Sequence, residues 1–171
     1  MIDDKADIIA RLDGGMAALR TAIGGCPAAV AAIRPAPDRW SVLDCLEHLL
    51  LAEEYLCNQL VAGTASAPTP NETREARIVA AGTNRDRRIP APQVAQPTGR
   101  WLSIDEAMEA VVAARARTVA FIEQFDGDLR AWEVMHPIAG VVNGYEMLLM
   151  IAIHPLRHAQ QIQEIRVHLS R

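Results

Sequence analysis

The chain has 171 residues, with 17 Lys and Arg against 21 Asp and Glu for a net charge of −4, and it is 50% hydrophobic but only 4% aromatic. A chain of this length buries enough surface to fold without a disulfide or metal staple, so residues 1–171 are read as one domain and any metal as functional. The acidic balance argues against a general nucleic-acid binder. No apolar run reaches the roughly 18 residues of a membrane span, and the start Met1-Ile2-Asp3-Asp4-Lys5 has no secretory pattern, so the expectation is a cytoplasmic protein without a membrane partner. Cys26, Cys45 and Cys57 form no CxxC pair, and their odd number fits reduced thiols.

From Asp3 to Ile23, Ile9, Leu12, Met16, Leu19 and Ile23 recur at steps of three or four, which predicts a first amphipathic helix closed by Gly24-Gly25-Cys26-Pro27. Gly14-Gly15 inside it implies either close packing against a neighbour or a kink. Ser41 followed by Asp44 is an N-terminal capping pair and opens a second helix to about Val61. The long stretch Gly63 to Arg100 carries Pro68, Pro70, Pro90, Pro92 and Pro97, too many for one helix, and reads as a crossover connector with a short helix over Glu72–Ala81.

Ser103 with Glu106 opens a third helix to about Phe125, whose stripe is Ile104, Ala107, Val111, Ala114, Thr118, Ile122 and Phe125. Asn143 with Glu146 opens a fourth, whose stripe is Met147, Ile151, His154, His158, Ile162, Ile165 and Leu169. No segment shows strand alternation, so the fold class predicted is all-α: a four-helix bundle with a long crossover connector over 63–100, between helices two and three.

Histidines on the apolar stripes separate this chain from a generic bundle. His154 and His158 stand one turn apart on the inward face of the fourth helix. His48 shares the inward face of the second with Cys45, Ala52 and Tyr55. A lone inward histidine is ordinarily a hydrogen-bonded core residue. Three that converge make an open coordination sphere suited to zinc, nickel, cobalt or iron, because a closed structural site would use four protein ligands. Pro155 occupies the position where a zincin helix has its glutamate base, which excludes the HExxH protease pattern. It also removes the backbone hydrogen bond to Ile151 and is expected to bend the helix there.

Gln161, three residues after His158, either orients an imidazole or a ligand water or is simply a polar residue at the end of the bundle, and Tyr55 either holds its hydroxyl over the metal or packs. Cys45 reads better as core filler than as a fourth ligand. Glu47, Glu53 and Glu54 read as a solvated face. Arg85, Arg87 and Arg88 in the connector either contact an anionic substrate or form a solvated loop. His136 and His168 have no partners by spacing and are expected at the surface.

Taken together, Arg39-Trp40-Ser41 leading into Leu46-Glu47-His48-Leu49, Pro97-Thr98-Gly99, His136-Pro137 with Gly140, and His154-x-x-Arg157-His158-x-x-Gln161-Ile162 resemble the DinB-like (YfiT-like metalloenzyme) four-helix-bundle superfamily over nearly the whole chain. The resemblance implies a long crossover between helices two and three. It also implies a divalent metal, commonly zinc or nickel, on three histidines that map onto His48, His154 and His158. It further implies a homodimer, and an activity among those of relatives that are transferases and isomerases using low-molecular-weight thiols such as mycothiol or bacillithiol. The expected function is a metal-dependent enzyme that activates a small-molecule thiol or water, with thiol-dependent S-transfer ahead of hydrolysis. A non-catalytic bundle that binds a ligand or dimerises is the remaining alternative. An arginine-lined pocket would favour an anionic thiol, and a poised carboxylate would favour hydrolysis.

Overall fold

The computed structural model describes residues 4–86 and 88–170. Six helices are present among them: α1 (Asp4–Ile23), α2 (Ala28–Ala31), α3 (Val42–Val61), α4 (Glu72–Thr83), α5 (Ile104–Gln124) and α6 (Gly144–Leu169). The four long ones, α1, α3, α5 and α6, form the bundle, with α1 packed chiefly on α6 and α3 on α5. Each helix start expected from a capping side chain is there. Ser41 and Asp44 form a reciprocal capping box on α3 and Asn143 and Glu146 another on α6, while the Ser103 side chain accepts from the Glu106 N–H on α5. These contacts satisfy amides that have no partner within the helix.

The all-α four-helix-bundle class holds, and only the expectation that no segment forms a strand is corrected. A three-stranded antiparallel sheet, β1 (Thr64–Ala65), β2 (Trp132–His136) and β3 (Gly140–Asn143), lies outside the bundle helices, in the order β1-β2-β3. The β2–β3 pair is a hairpin in which His136 faces Gly140 and Val134 faces Val142. Its alternation runs over too few residues to register as a strand pattern, and only Val134 of β2 is fully buried.

The core has two apolar halves. One contains Met16, Leu19, Leu46, Leu50, Ile162 and Ile165, the other Ile8, Leu12, Leu56, Leu60, Met147 and Ile151. Where they meet, buried polar groups from three helices make a belt: Glu53 of α3, Arg115 and Thr118 of α5, and His158 of α6. Arg115 donates from Nε and Nη2 to the two carboxylate oxygens of Glu53 at 2.8 and 2.9 Å, and from Nη1 to the Leu12 carbonyl of α1 at 3.1 Å. The Thr118 hydroxyl donates to Glu53 at 2.8 Å. A buried charge pair persists only when its remaining hydrogen-bonding capacity is met in this way.

Two glutamates expected on a solvated face are therefore buried. Glu53 is clamped to α5, and Glu47 accepts from the backbone N–H groups of Thr98, Gly99 and Arg100 and from the Thr98 hydroxyl. Burial opposes ionisation of Glu47, but these four donors outweigh it and hold the carboxyl below its usual range. The physical reason is that α3 is covered on more than one side, by α5 and by the returning connector, so a residue beside the core stripe is also enclosed. Glu54 alone matches the expectation, half-exposed and paired with Arg117 at 2.7 Å.

Gly14 and Gly15 divide as packing requires. A Cβ on Gly15 would lie 2.5 Å from the Ala152 carbonyl oxygen of α6, whereas one on Gly14 would meet nothing within 4 Å. Close approach to α6 accounts for Gly15 and makes no demand on Gly14. The α6 helix runs on through Pro155, and the Ile151 carbonyl freed by the missing N–H receives Arg115 Nη2 at 3.5 Å.

Candidate metal centre

The site is built from two helices and held by the connector. α3 presents His48, and α6 presents His154 and His158 one turn apart. His48 Nε2 lies 3.1 Å from His154 Nε2, and His158 Nε2 lies 3.0 Å from the same atom. One ligand atom from each ring falls within 4.8 Å of the others, the only such His, Cys or carboxylate cluster among the described residues. Imidazole nitrogens that share a zinc at about 2.0–2.1 Å stand roughly 3 Å apart, which the His48–His154 and His154–His158 separations match.

Proton accounting supports the same reading. His48 Nδ1 donates to the Ala95 carbonyl at 2.7 Å, which fixes its tautomer and leaves Nε2 with a lone pair. His154 Nε2 faces this lone pair on one side and His158 Nε2 on the other. A proton on His154 can satisfy one neighbour, and without it two lone pairs oppose each other. A cation at the meeting point accepts all three. Full protonation is no remedy, because burial lowers the pKa of His48 and drives those of His154 and His158 well below the usual histidine value, with His48 further disfavouring charge on both and His154 on His158. His158 Nδ1 is buried with no partner among the described residues.

Trp40, just before the α3 cap, covers the cluster from the side. Its ring centroid lies 4.7 Å from that of His48 and 6.0 Å from that of His158, nearly parallel to the latter. Ala95 belongs to a single 3-10 turn, Gln93–Ala95, inside the connector, so the segment read as a crossover also supplies the carbonyl that orients the His48 ring.

The cluster opens onto a cavity of about 660 Å³ roofed by the connector and the β2–β3 turn. Arg39, Arg85, Arg88 and Arg157 line it, and Asp38 is its single carboxylate among the described residues. Asp38 is exposed and pairs with Arg88 at 3.4 Å. Arg85, expected as a substrate contact, lines the cavity but is engaged: it donates to Glu164 at 2.6 Å and to Gln161 at 3.2 Å. Arg88 is at the rim, and Arg87 lies outside the described residues.

Gln161 borders the cavity yet its carbonyl is taken by Arg85, with no bond to an imidazole. Tyr55 lines the cavity and packs on the core half that contains Leu56 and Ile151. Cys45 is fully buried among Leu46 and Leu49, its thiol pKa raised by that burial, and it is not part of the cluster. His168 is exposed as expected, but His136 is half-buried and lines the cavity. Spacing along the chain could not reveal it, because a hairpin and not a helix brings it there. The motif His136-Pro137 followed by Gly140 was its one signal.

The comparisons with known proteins agree with this architecture. Residues 11–162 match the DinB superfamily, and the chain belongs to it. Among solved structures, TT2238, described as a four-helix bundle protein, superposes with a TM-score of 0.61 at 18% identity over 94% of this chain and 98% of its own. YfiT from Bacillus subtilis, described as a probable metal-dependent hydrolase with an unusual four-helix bundle topology, superposes with a TM-score of 0.63 at 14% identity over 99% of this chain and 90% of its own. No curated protein sequence matches. No helix among the described residues is long and apolar enough to cross a membrane.

Proposed function

We propose that the protein is a metal-dependent enzyme in which His48, His154 and His158 hold one divalent ion, zinc or nickel, beside a cavity that takes a small anionic thiol for S-transfer. Bound there, the ion would lower the pKa of a thiol or water and make a nucleophile near neutral pH. The observation that carries the choice is the lining: four arginines, two of them, Arg85 and Arg88, already paired with Glu164 and Asp38, against one exposed carboxylate. Arginine forks suit carboxylate or phosphate groups on the incoming molecule.

Hydrolysis would call for a carboxylate free to take a proton from water. Glu53, which shares a small void with His154, is instead engaged by Arg115 and Thr118, and Glu47 is saturated by four donors. The hydrolase reading stays as the second, because the description of YfiT points that way.

Cobalt-loaded protein titrated with mercaptosuccinate and with uncharged 2-mercaptoethanol tests this. The expected result is a sulfur-to-cobalt charge-transfer band with both, and at least roughly tenfold tighter binding of the dianionic thiol. No band with either thiol, together with turnover of activated esters, would replace transfer by hydrolysis.

A further inference from the structure

His136 comes to the cavity from an element that supplies none of the three clustered histidines. It ends β2, and the turn through Pro137 and Ala139 returns to Gly140 at a φ of +72°, a conformation glycine adopts without steric penalty. The turn aims two backbone N–H groups at the ring: Ile138 and Ala139 donate to His136 Nδ1 at 3.1 and 3.0 Å. A ring nitrogen that accepts carries no proton, so the proton of the neutral imidazole is on Nε2. The same two donors oppose a second proton at Nδ1, in the direction in which burial already moves this histidine. Nε2 has no protein acceptor among the described residues, and a charge on the ring would be felt at His154.

A histidine beside a metal centre is ordinarily read as a general base. Here neither nitrogen can take a proton readily, since one lone pair is occupied twice and the other nitrogen is already protonated. Donation is the role left. We propose that His136 is a ligand-binding hydrogen-bond donor whose Nε2–H, fixed by the turn amides, is given to a carboxylate or acyl oxygen of the molecule held in the cavity, and that it is not a base. A neutral imidazole locked in one tautomer polarises an oxygen without the reorganisation that a mobile donor would need. The inference rests on the metal-dependent reading above and narrows the ligand to one that offers an acceptor oxygen near the cluster.

The test has two arms. Nitrogen-15 NMR of histidine-labelled protein at pH 7, with and without zinc, reads the tautomer of His136; the expected result is a bare Nδ1 and a protonated Nε2 in both. Calorimetric titration of acetate into zinc-loaded wild type, His136→Gln and His136→Phe reads the donor. Glutamine keeps both an acceptor for the turn amides and an N–H donor, whereas phenylalanine keeps only the shape. Acetate affinity is expected to fall roughly tenfold or more in His136→Phe and to stay within about threefold in His136→Gln, with zinc stoichiometry equal in all three.

An Nδ1–H tautomer, an imidazolium at pH 7, no acetate binding by the zinc-loaded wild type, or equal affinity in His136→Phe would each overturn the proposal. Failure of the wild type to take zinc would instead overturn the metal reading, and the tautomer in metal-free protein would then decide the proton placement on its own.

Discussion

Arg115 Nη2 donates to the Ile151 carbonyl, the acceptor that Pro155 deprives of its helical N–H, three residues before His154. The same guanidinium holds Glu53 and the Leu12 carbonyl, so one side chain joins α1, α3, α5 and α6 beneath the histidines. Arg115→Met should leave the Glu53 carboxylate buried and unpaired and cost about 3–5 kcal/mol. Urea denaturation checks this. The double variant Glu53→Leu with Arg115→Met should recover most of that loss, because it removes the stranded charge as well.

The two neighbouring glycines of α1 should respond with opposite signs. Gly15→Ala forces a methyl against the Ala152 backbone, which cannot swing aside, and should destabilise by about 1–3 kcal/mol. Gly14→Ala meets open space on the same helix and should stabilise by up to about 1 kcal/mol through backbone entropy. Thermal melts of the two variants side by side give the sign directly.

Much of this was legible in the chain itself. Ser41 with Asp44 and Asn143 with Glu146 mark helix starts because a short side chain and an acid three residues later satisfy the same free amides wherever they occur. The histidines were legible because the 3.6-residue period places His154 and His158 on one face. Partners far along the chain were not. Nothing near Glu53 announces Arg115, nothing near Glu47 announces the amides of Thr98 to Arg100, and nothing near His48 announces the Ala95 carbonyl. The β2–β3 hairpin hides for a related reason, being shorter than the window in which alternation can be counted, and it took His136 out of view with it.

Stability without metal should fall as the pH drops below the usual histidine value of about 6.5. His48, His154 and His158 all have folded pKa values below that of the unfolded chain. Between the two values the unfolded state binds more protons, so stability is present above about 6.5 and is lost on acidification through the folded values, each histidine contributing up to about 1.4 kcal/mol per pH unit. Urea midpoints of metal-free wild type and His154→Gln between pH 5 and 8 check this: the wild-type slope should be the steeper, and equal slopes would contradict it.

Trp40 should report on the centre. Its ring lies against His48 and His158, whereas Trp132 has its ring contact with Phe125 and Trp101 lies under the Arg100 guanidinium. Nickel added to metal-free protein should quench part of the tryptophan emission, and Trp40→Phe should lose most of that response while binding the same amount of nickel. Undiminished quenching in the variant would show that nickel binds away from the cluster.

The most direct measurement is elemental analysis of tag-free protein expressed with mixed trace metals, beside His48→Ala and His154→Ala, with melting curves before and after chelation. The account predicts near one divalent ion per chain in the wild type, its loss in both variants, and a lower melting temperature after chelation, since a ligand that binds only the folded state stabilises it. A metal-free wild type that cannot be loaded, melting the same with and without chelator, would contradict it.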